Sequence, residues 1–194
     1  MTIINFRSVA LGLAAACTLS SAALAAPVRY SLDSSSSKVG FETMFGADAI
    51  TGTMPVTRAD LTIDFERLTA SKVAVALDVT NAEASFPFAA QAMKGPKVLD
   101  AGTYPLITFV STAVRPKDAS KAQIDGDITI RGVTRPITFE ANIWRQQGSE
   151  SGDLSNLTIR LTGAINRSDF GAVGWSDMVA DKVSLDILAR ISKD

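Results

Sequence analysis

From Ser71 to the C-terminus, apolar side chains recur at every second position. Val73, Val75, Leu77 and Val79 alternate with Ala74, Ala76, Asp78 and Thr80. Ile124, Gly126, Ile128 and Ile130 alternate with Asp125, Asp127, Thr129 and Arg131, and the same period runs through Ile137–Ile143, Leu157–Ile165 and Val183–Ile191. Successive side chains of a strand point to opposite faces, so each segment has one apolar and one wetted face. The pattern predicts antiparallel sheet, because strands buried in a parallel sheet are apolar on both faces. Less regular strands are predicted over Val28–Asp33, Lys38–Thr43, Ala49–Thr57, Ala59–Phe65 and Tyr104–Val114. Turn-forming residues separate strands at Ser34–Ser37, Gly132–Thr134 and Gln147–Asp153. Gly132 marks a tight hairpin, and Pro136 sits at a strand start, where a missing N–H is tolerated.

One stretch resists the strand pattern. Phe86–Met93 is rich in alanine and ends at Gly95-Pro96, which predicts a short helix near residues 86–94. No long amphipathic helix is present to cover the apolar sheet face. The sheet must therefore roll into a barrel or pair as a sandwich, and alternation alone leaves both open. The inward positions are Phe41, Phe65, Val75, Leu77, Ile107, Phe109, Ile128, Ile130, Phe139, Ala141, Ile143, Ile159 and Leu161. They fit either an ordinary packed core or the lining of a small-ligand cavity, both known in barrels of about eight strands. Small residues on inward positions, Gly126, Ala141 and Gly163, are expected to leave room inside.

The N-terminus reads as a targeting segment. Met1–Arg7 carries one positive charge, Val9–Leu19 is apolar, and Ala23-Leu24-Ala25 is a small-x-small cleavage pattern. Residues 1–25 are therefore expected to be a signal peptide and residues 26–194 one exported domain, since no linker or repeat interrupts them. The apolar run is shorter than the roughly 20 residues of a membrane span, so no stable membrane insertion is expected. Ala14-Ala15-Ala16-Cys17 only loosely resembles a lipobox, with Ala14 where a leucine-like residue is preferred. Cleavage removes Cys17, the only cysteine, leaving no disulfide and no thiol nucleophile.

Composition narrows the chemistry. With 19 basic against 20 acidic residues there is no basic surplus for phosphates, which disfavours a nucleic-acid partner. Histidine is absent, which excludes Ser-His-Asp and Cys-His catalysis and histidine-ligated metals. Carboxylate, lysine or hydroxyl chemistry remains, or no chemistry.

Several motifs, in order, resemble the YceI family of bacterial exported proteins. They are Tyr30-x-Leu32-Asp33 with Val39-Gly40-Phe41, Met93-Lys94-Gly95-Pro96-Lys97-Val98-Leu99-Asp100, and Tyr104-Pro105-x-Ile107-Thr108-Phe109. The hairpin Gly126–Pro136 and the run Asn166-Arg167-Ser168-Asp169-Phe170-Gly171 continue the series. The resemblance implies an all-β, lipocalin-like closed antiparallel barrel in the periplasm. Its apolar cavity would hold a polyisoprenoid or similar long-chain lipid, such as a quinone, with no enzymatic activity and no cofactor besides that ligand. The inward set named above would then line the cavity, while Phe86, Phe88 and Met93 would plug or gate its end. Ser36-Ser37-Lys38 and Met44-Phe45-Gly46 lack histidines frequent in the family, so any head-group contact made by those histidines is missing here.

Other candidates have plainer readings. Arg167 and Asp169 are expected to form a salt-bridged turn, and Arg131 and Arg135 to be solvated beside their hairpin. Trp144 and Trp175 are expected on the barrel's outside or its ends. Three functions stay open at this stage: a lipid carrier, a barrel enzyme using Arg167 and Asp169, or an envelope stress protein acting through protein contacts. The sequence leaves open whether the protein forms a homodimer. N-terminal sequencing of exported material should find Ala26 first, and the melting temperature should not respond to reductant; a lipidated Cys17 at the start would overturn both.

Overall fold

The computed structural model describes residues 27–194, so the segment read as a signal peptide lies outside the described residues. Strand β1 (Val28–Leu32) is followed by β2 (Lys38–Phe45), β3 (Asp48–Met54) and β4 (Val56–Ile63). Strand β5 (Lys72–Asp78) and the two-residue β6 (Glu83–Ala84) lead to helix α1 (Pro87–Lys94), where the short helix was expected. Longer strands follow: β7 (Leu106–Pro116), β8 (Lys121–Ile130), β9 (Val133–Arg145), β10 (Asn156–Asn166) and β11 (Lys182–Lys193).

All pairings are antiparallel, and β1-β4-β5-β7-β8-β9-β10-β11 closes on itself through β1 and β11 as an eight-stranded barrel. One edge of β11 is covered by β10 along its length. The other edge is shared: β2 pairs with Ser184–Leu188 and β1 with Ile191–Lys193. The branch β2-β3-β6 continues the wall beyond β1, β4 and β5. At the β1 end the ring is complete. At the opposite end, the mouth, β6 has no strand partner beyond β3, and α1 packs beside it.

Two irregularities explain why the early strands were hard to place. Pro55, which has no N–H to donate, separates β3 from β4. The predicted break near Arg58 is instead a register shift inside β4, between Val56 and Arg58. A second shift falls between Ser111 and Ala113 in β7. One extra residue moves the buried set from odd to even numbers, so Ile107 and Val114 are both buried. The Ser111 hydroxyl accepts the Val73 N–H (2.9 Å), satisfying a donor that the bulge would otherwise orphan.

The closed end is plugged by side chains. Tyr30, Ile63, Leu157 and Ile191 are buried together, with the Phe65 ring edge-on to Tyr30 at 6.0 Å. The Tyr30 hydroxyl donates to the Leu154 carbonyl (3.0 Å), and burial raises its pKa. The β4–β5 turn is held by buried Asp64, whose carboxylate accepts the N–H groups of Glu66 (3.1 Å) and Arg67 (2.8 Å).

The β8–β9 hairpin has the register the alternation predicts, with Ile128, Ile130, Ile137 and Phe139 all buried. Arg131 and Gly132 both adopt positive φ (53° and 73°), as the tightest hairpins require. Arg131 is not simply solvated: its Nη1 donates to the carbonyls of Pro96 (2.6 Å) and Val98 (3.0 Å), tying the hairpin to the loop after α1. After β5, Asp78 accepts hydrogen bonds from Thr80 and Asn81, which lower its pKa from 3.8 to about 2.

Ile130→Asp should bury an unpaired carboxylate at the cost of several kcal/mol, enough to prevent folding. Arg131→Ala should cost about 1–3 kcal/mol through its two lost charge-assisted bonds, whereas Asp127→Asn, exposed on the same hairpin, should stay within about 0.5 kcal/mol. Urea unfolding of the three variants checks this order. Because the Asp78 pKa is lowered on folding, its contribution should be complete above about pH 3.8 and vanish as pH falls through about 2. Comparing acid unfolding of Asp78→Asn with the parent isolates that contribution.

Candidate functional site

The barrel encloses one large cavity of about 660 Å³, within the usual range for a small-molecule site. Every side chain that the sequence placed on the cavity wall or at its end lies on the lining. Phe41 comes from β2, Phe65 from the turn after β4, Val75 and Leu77 from β5, and Ile107 and Phe109 from β7. Strands β8 and β9 contribute Ile128, Ile130, Phe139, Ala141 and Ile143, and β10 contributes Ile159 and Leu161. Phe86, Phe88 and Met93 line it from α1 and the residue before it, at the mouth.

Three phenyl rings are seated on glycines. A Cβ on Gly52 would lie 2.2 Å from the Phe41 ring, on Gly126 2.4 Å from Phe109, and on Gly163 2.8 Å from Phe139. Gly126 and Gly163 therefore do not leave empty space; they let Phe109 and Phe139 lie flat against the wall. Those two rings then meet edge to face at 5.4 Å. Free volume lies in the middle of the lumen, where smaller wall residues such as Ala59 and Ala189 face it.

Polar side chains on the lining are few: Ser37, Thr43, Ser71 and Arg167. The first three already serve the wall. Ser37 accepts the Arg190 N–H (2.9 Å), Ser71 accepts the Asp64 N–H (3.0 Å), and Thr43 donates to the carbonyls of Ala180 and Lys182. Arg167 is 7% exposed and does not pair with Asp169. Its Nε donates to the Ala180 carbonyl (3.1 Å), Nη1 to Ala172 (2.5 Å) and Gly174 (2.8 Å), and Nη2 to Val179 (3.0 Å). It straps the β10–β11 connection into a fixed loop, while Ser168 bonds to Asp181.

Charge is kept outside. Arg160 pairs with Asp186 (2.6 Å), whose pKa that contact lowers, and Arg115 pairs with Asp125. Among the described residues no carboxylate, lysine or tyrosine lines the cavity. The lumen thus offers apolar surface for a long chain and no acid–base pair for catalysis.

Parts of the lining were missed from the sequence. Leu185 and Ile187 of β11 lay on a visible alternation and were findable. Ala172, Gly174, Trp175, Met178 and Val179 were not, because the loop carrying them has no period and owes its place to Arg167. No helix among the described residues is long and apolar enough to cross a membrane.

Comparison with known proteins agrees with this geometry. A UPF0312 protein of Pseudomonas putida strain W619 is 29% identical over 173 residues, 88% of each chain. Among solved structures, BcnA of Burkholderia cenocepacia superposes with a TM-score of 0.74 at 23% identity, covering 82% of this chain and 99% of its own. A polyisoprenoid binding domain from Saccharophagus degradans, described as implicated in plant cell wall breakdown, has a TM-score of 0.63 at 13% identity, covering 86% and 99%. The family model of the YceI-like domain matches residues 30–191, and the chain belongs to that family.

Proposed function

We propose that this protein is an exported, periplasmic carrier of a long-chain isoprenoid, such as a quinone, and that the inward side chains named above are its binding site. The observation that supports it most is the lining itself. A lumen of about 660 Å³ in which the only ionic side chain among the described residues, Arg167, is already engaged by four carbonyls suits an apolar chain and little else. Burying such a chain is favourable by about 25 cal/mol per Å² of apolar surface, so affinity needs no polar anchor. The fold relative from Saccharophagus degradans, described as a polyisoprenoid binding domain, supports the same ligand class. A catalytic role is disfavoured because Asp169 neither pairs with Arg167 nor reaches the lining.

A long-chain quinone should raise the melting temperature with ligand concentration, by about 2.7 kcal/mol of stability at one hundred times its Kd. Affinity should be flat between about pH 5 and 9, since no carboxylate, lysine or tyrosine among the described residues lines the cavity. Ala189→Phe should weaken binding yet leave the fold intact, because its ring would enter the lumen. Gly163→Leu should instead destabilise by about 1–3 kcal/mol, by colliding with Phe139. Failure of a quinone and a polyprenol alike to shift melting would refute the carrier reading.

A further inference from the structure

At the mouth, apolar side chains face water. Phe45 at the end of β2 is 41% exposed, Phe86 and Phe88 at the start of α1 are 42% and 72%, and Trp175 and Met178 are 37% and 45%. All five also line the opening of the lumen. Backbone bonds join the segments that carry them: the Gly46 N–H donates to the Met178 carbonyl (3.0 Å), Ser85 to Thr51 (2.7 Å) and Gly174 to Lys97 (2.8 Å). They form one rim, and a contiguous exposed apolar patch on a soluble protein marks an interaction surface.

Trp175 adds a second observation. Its φ is 53°, a left-handed conformation unfavourable for a bulky side chain. The strain is held from both sides, by Arg167 on the Gly174 carbonyl and by the N–H groups of Met178 (3.0 Å) and Val179 (2.8 Å) on the Trp175 carbonyl. The loop is thus fixed in a shape that keeps an indole at the rim.

Charges on the same segments nearly cancel, with Lys94, Lys97 and Lys182 against Asp48, Glu83, Asp177 and Asp181. Among the described residues of the rim no basic cluster is present to select anionic lipid. Exposed Trp and Phe around an apolar opening are suited to the boundary between water and lipid tails.

We propose that the rim docks the barrel, mouth down, on the surface of a lipid bilayer, inserting Phe45, Phe88 and Trp175 shallowly and reversibly. The inference rests on the carrier reading in one respect: docking gives a long apolar chain a path between bilayer and lumen that avoids water. Insertion itself needs no cargo and can be measured without it.

The two tryptophans make the test internal, because Trp144 stands 49% exposed on β9, away from the lumen lining. Protein is mixed with phosphatidylcholine vesicles, with and without brominated acyl chains. With Trp144→Phe, the remaining Trp175 emission should shift blue and be quenched by the bromines; with Trp175→Phe, Trp144 emission should do neither. The parent should co-sediment with the vesicles equally in about 0.1 and 0.5 M salt. Phe45→Ser with Phe88→Ser should weaken that partition by about tenfold or more. The proposal is overturned if the protein stays in solution, if it binds only anionic vesicles and salt releases it, or if both tryptophans are quenched alike. It is also overturned if the rim serves a second copy, seen as self-association without vesicles that the double variant abolishes. Quinone binding by the parent protein, measured without vesicles, separates the readings: quinone bound by a protein that does not dock removes only the bilayer surface, and docking by a protein that binds no quinone removes only the carrier.

Discussion

Strand β11 has an edge longer than any one partner covers, and the architecture follows from how that edge is divided. An unpaired strand edge in water invites association, so each stretch must find a partner. Five-residue β1 takes the C-terminal part and β2 takes the rest, and the division passes outward through β4 and β3 to β5 and β6. One level of the wall closes completely. The other reaches the short β6 and stops, which leaves the gap beside which α1 lies. A container with one sealed end and one open end is the geometric result.

The lumen stays unfilled for a related reason. Phenyl rings are large enough to block a barrel of this width if they project inward. Seating Phe41, Phe109 and Phe139 over glycines lays them along the wall, where their area is used for packing and the centre is left clear. The plug at the closed end is built differently, with Tyr30 and Phe65 in edge contact and the buried Tyr30 hydroxyl satisfied by the Leu154 carbonyl. Polar bookkeeping is completed within the wall itself, by Ser37, Ser71, Thr43 and Arg167, and among the described residues no buried polar side-chain atom lacks a partner.

Much of this was legible in the sequence. Period-two alternation placed β8 to β11 and their faces, and the inward side chains named as lining all lie on it, whereas the inward glycines Gly126 and Gly163 do not. What could not be read was aperiodic. The bulge in β7 switches parity after Ser111, and the break at Pro55 displaces the predicted boundary from Arg58. The role of Arg167 was inverted, since its nearest acidic neighbour in sequence is not its partner in space. Its acceptors are carbonyls, which every residue carries and no sequence pattern marks. The glycines likewise read as vacancies, because alternation says which face a residue is on but not which ring lies across it.

That last property of Arg167 has an evolutionary corollary. A strap that grips only main-chain oxygens is indifferent to the identity of the residues it grips. Side chains at Val173, Trp175 and Met178 can be exchanged by mutation while Ala172, Gly174, Val179 and Ala180 still present the same carbonyls. The shape of this loop and the chemistry it displays are separately inherited, so one scaffold can acquire new surface preferences there without rebuilding the barrel that supports them.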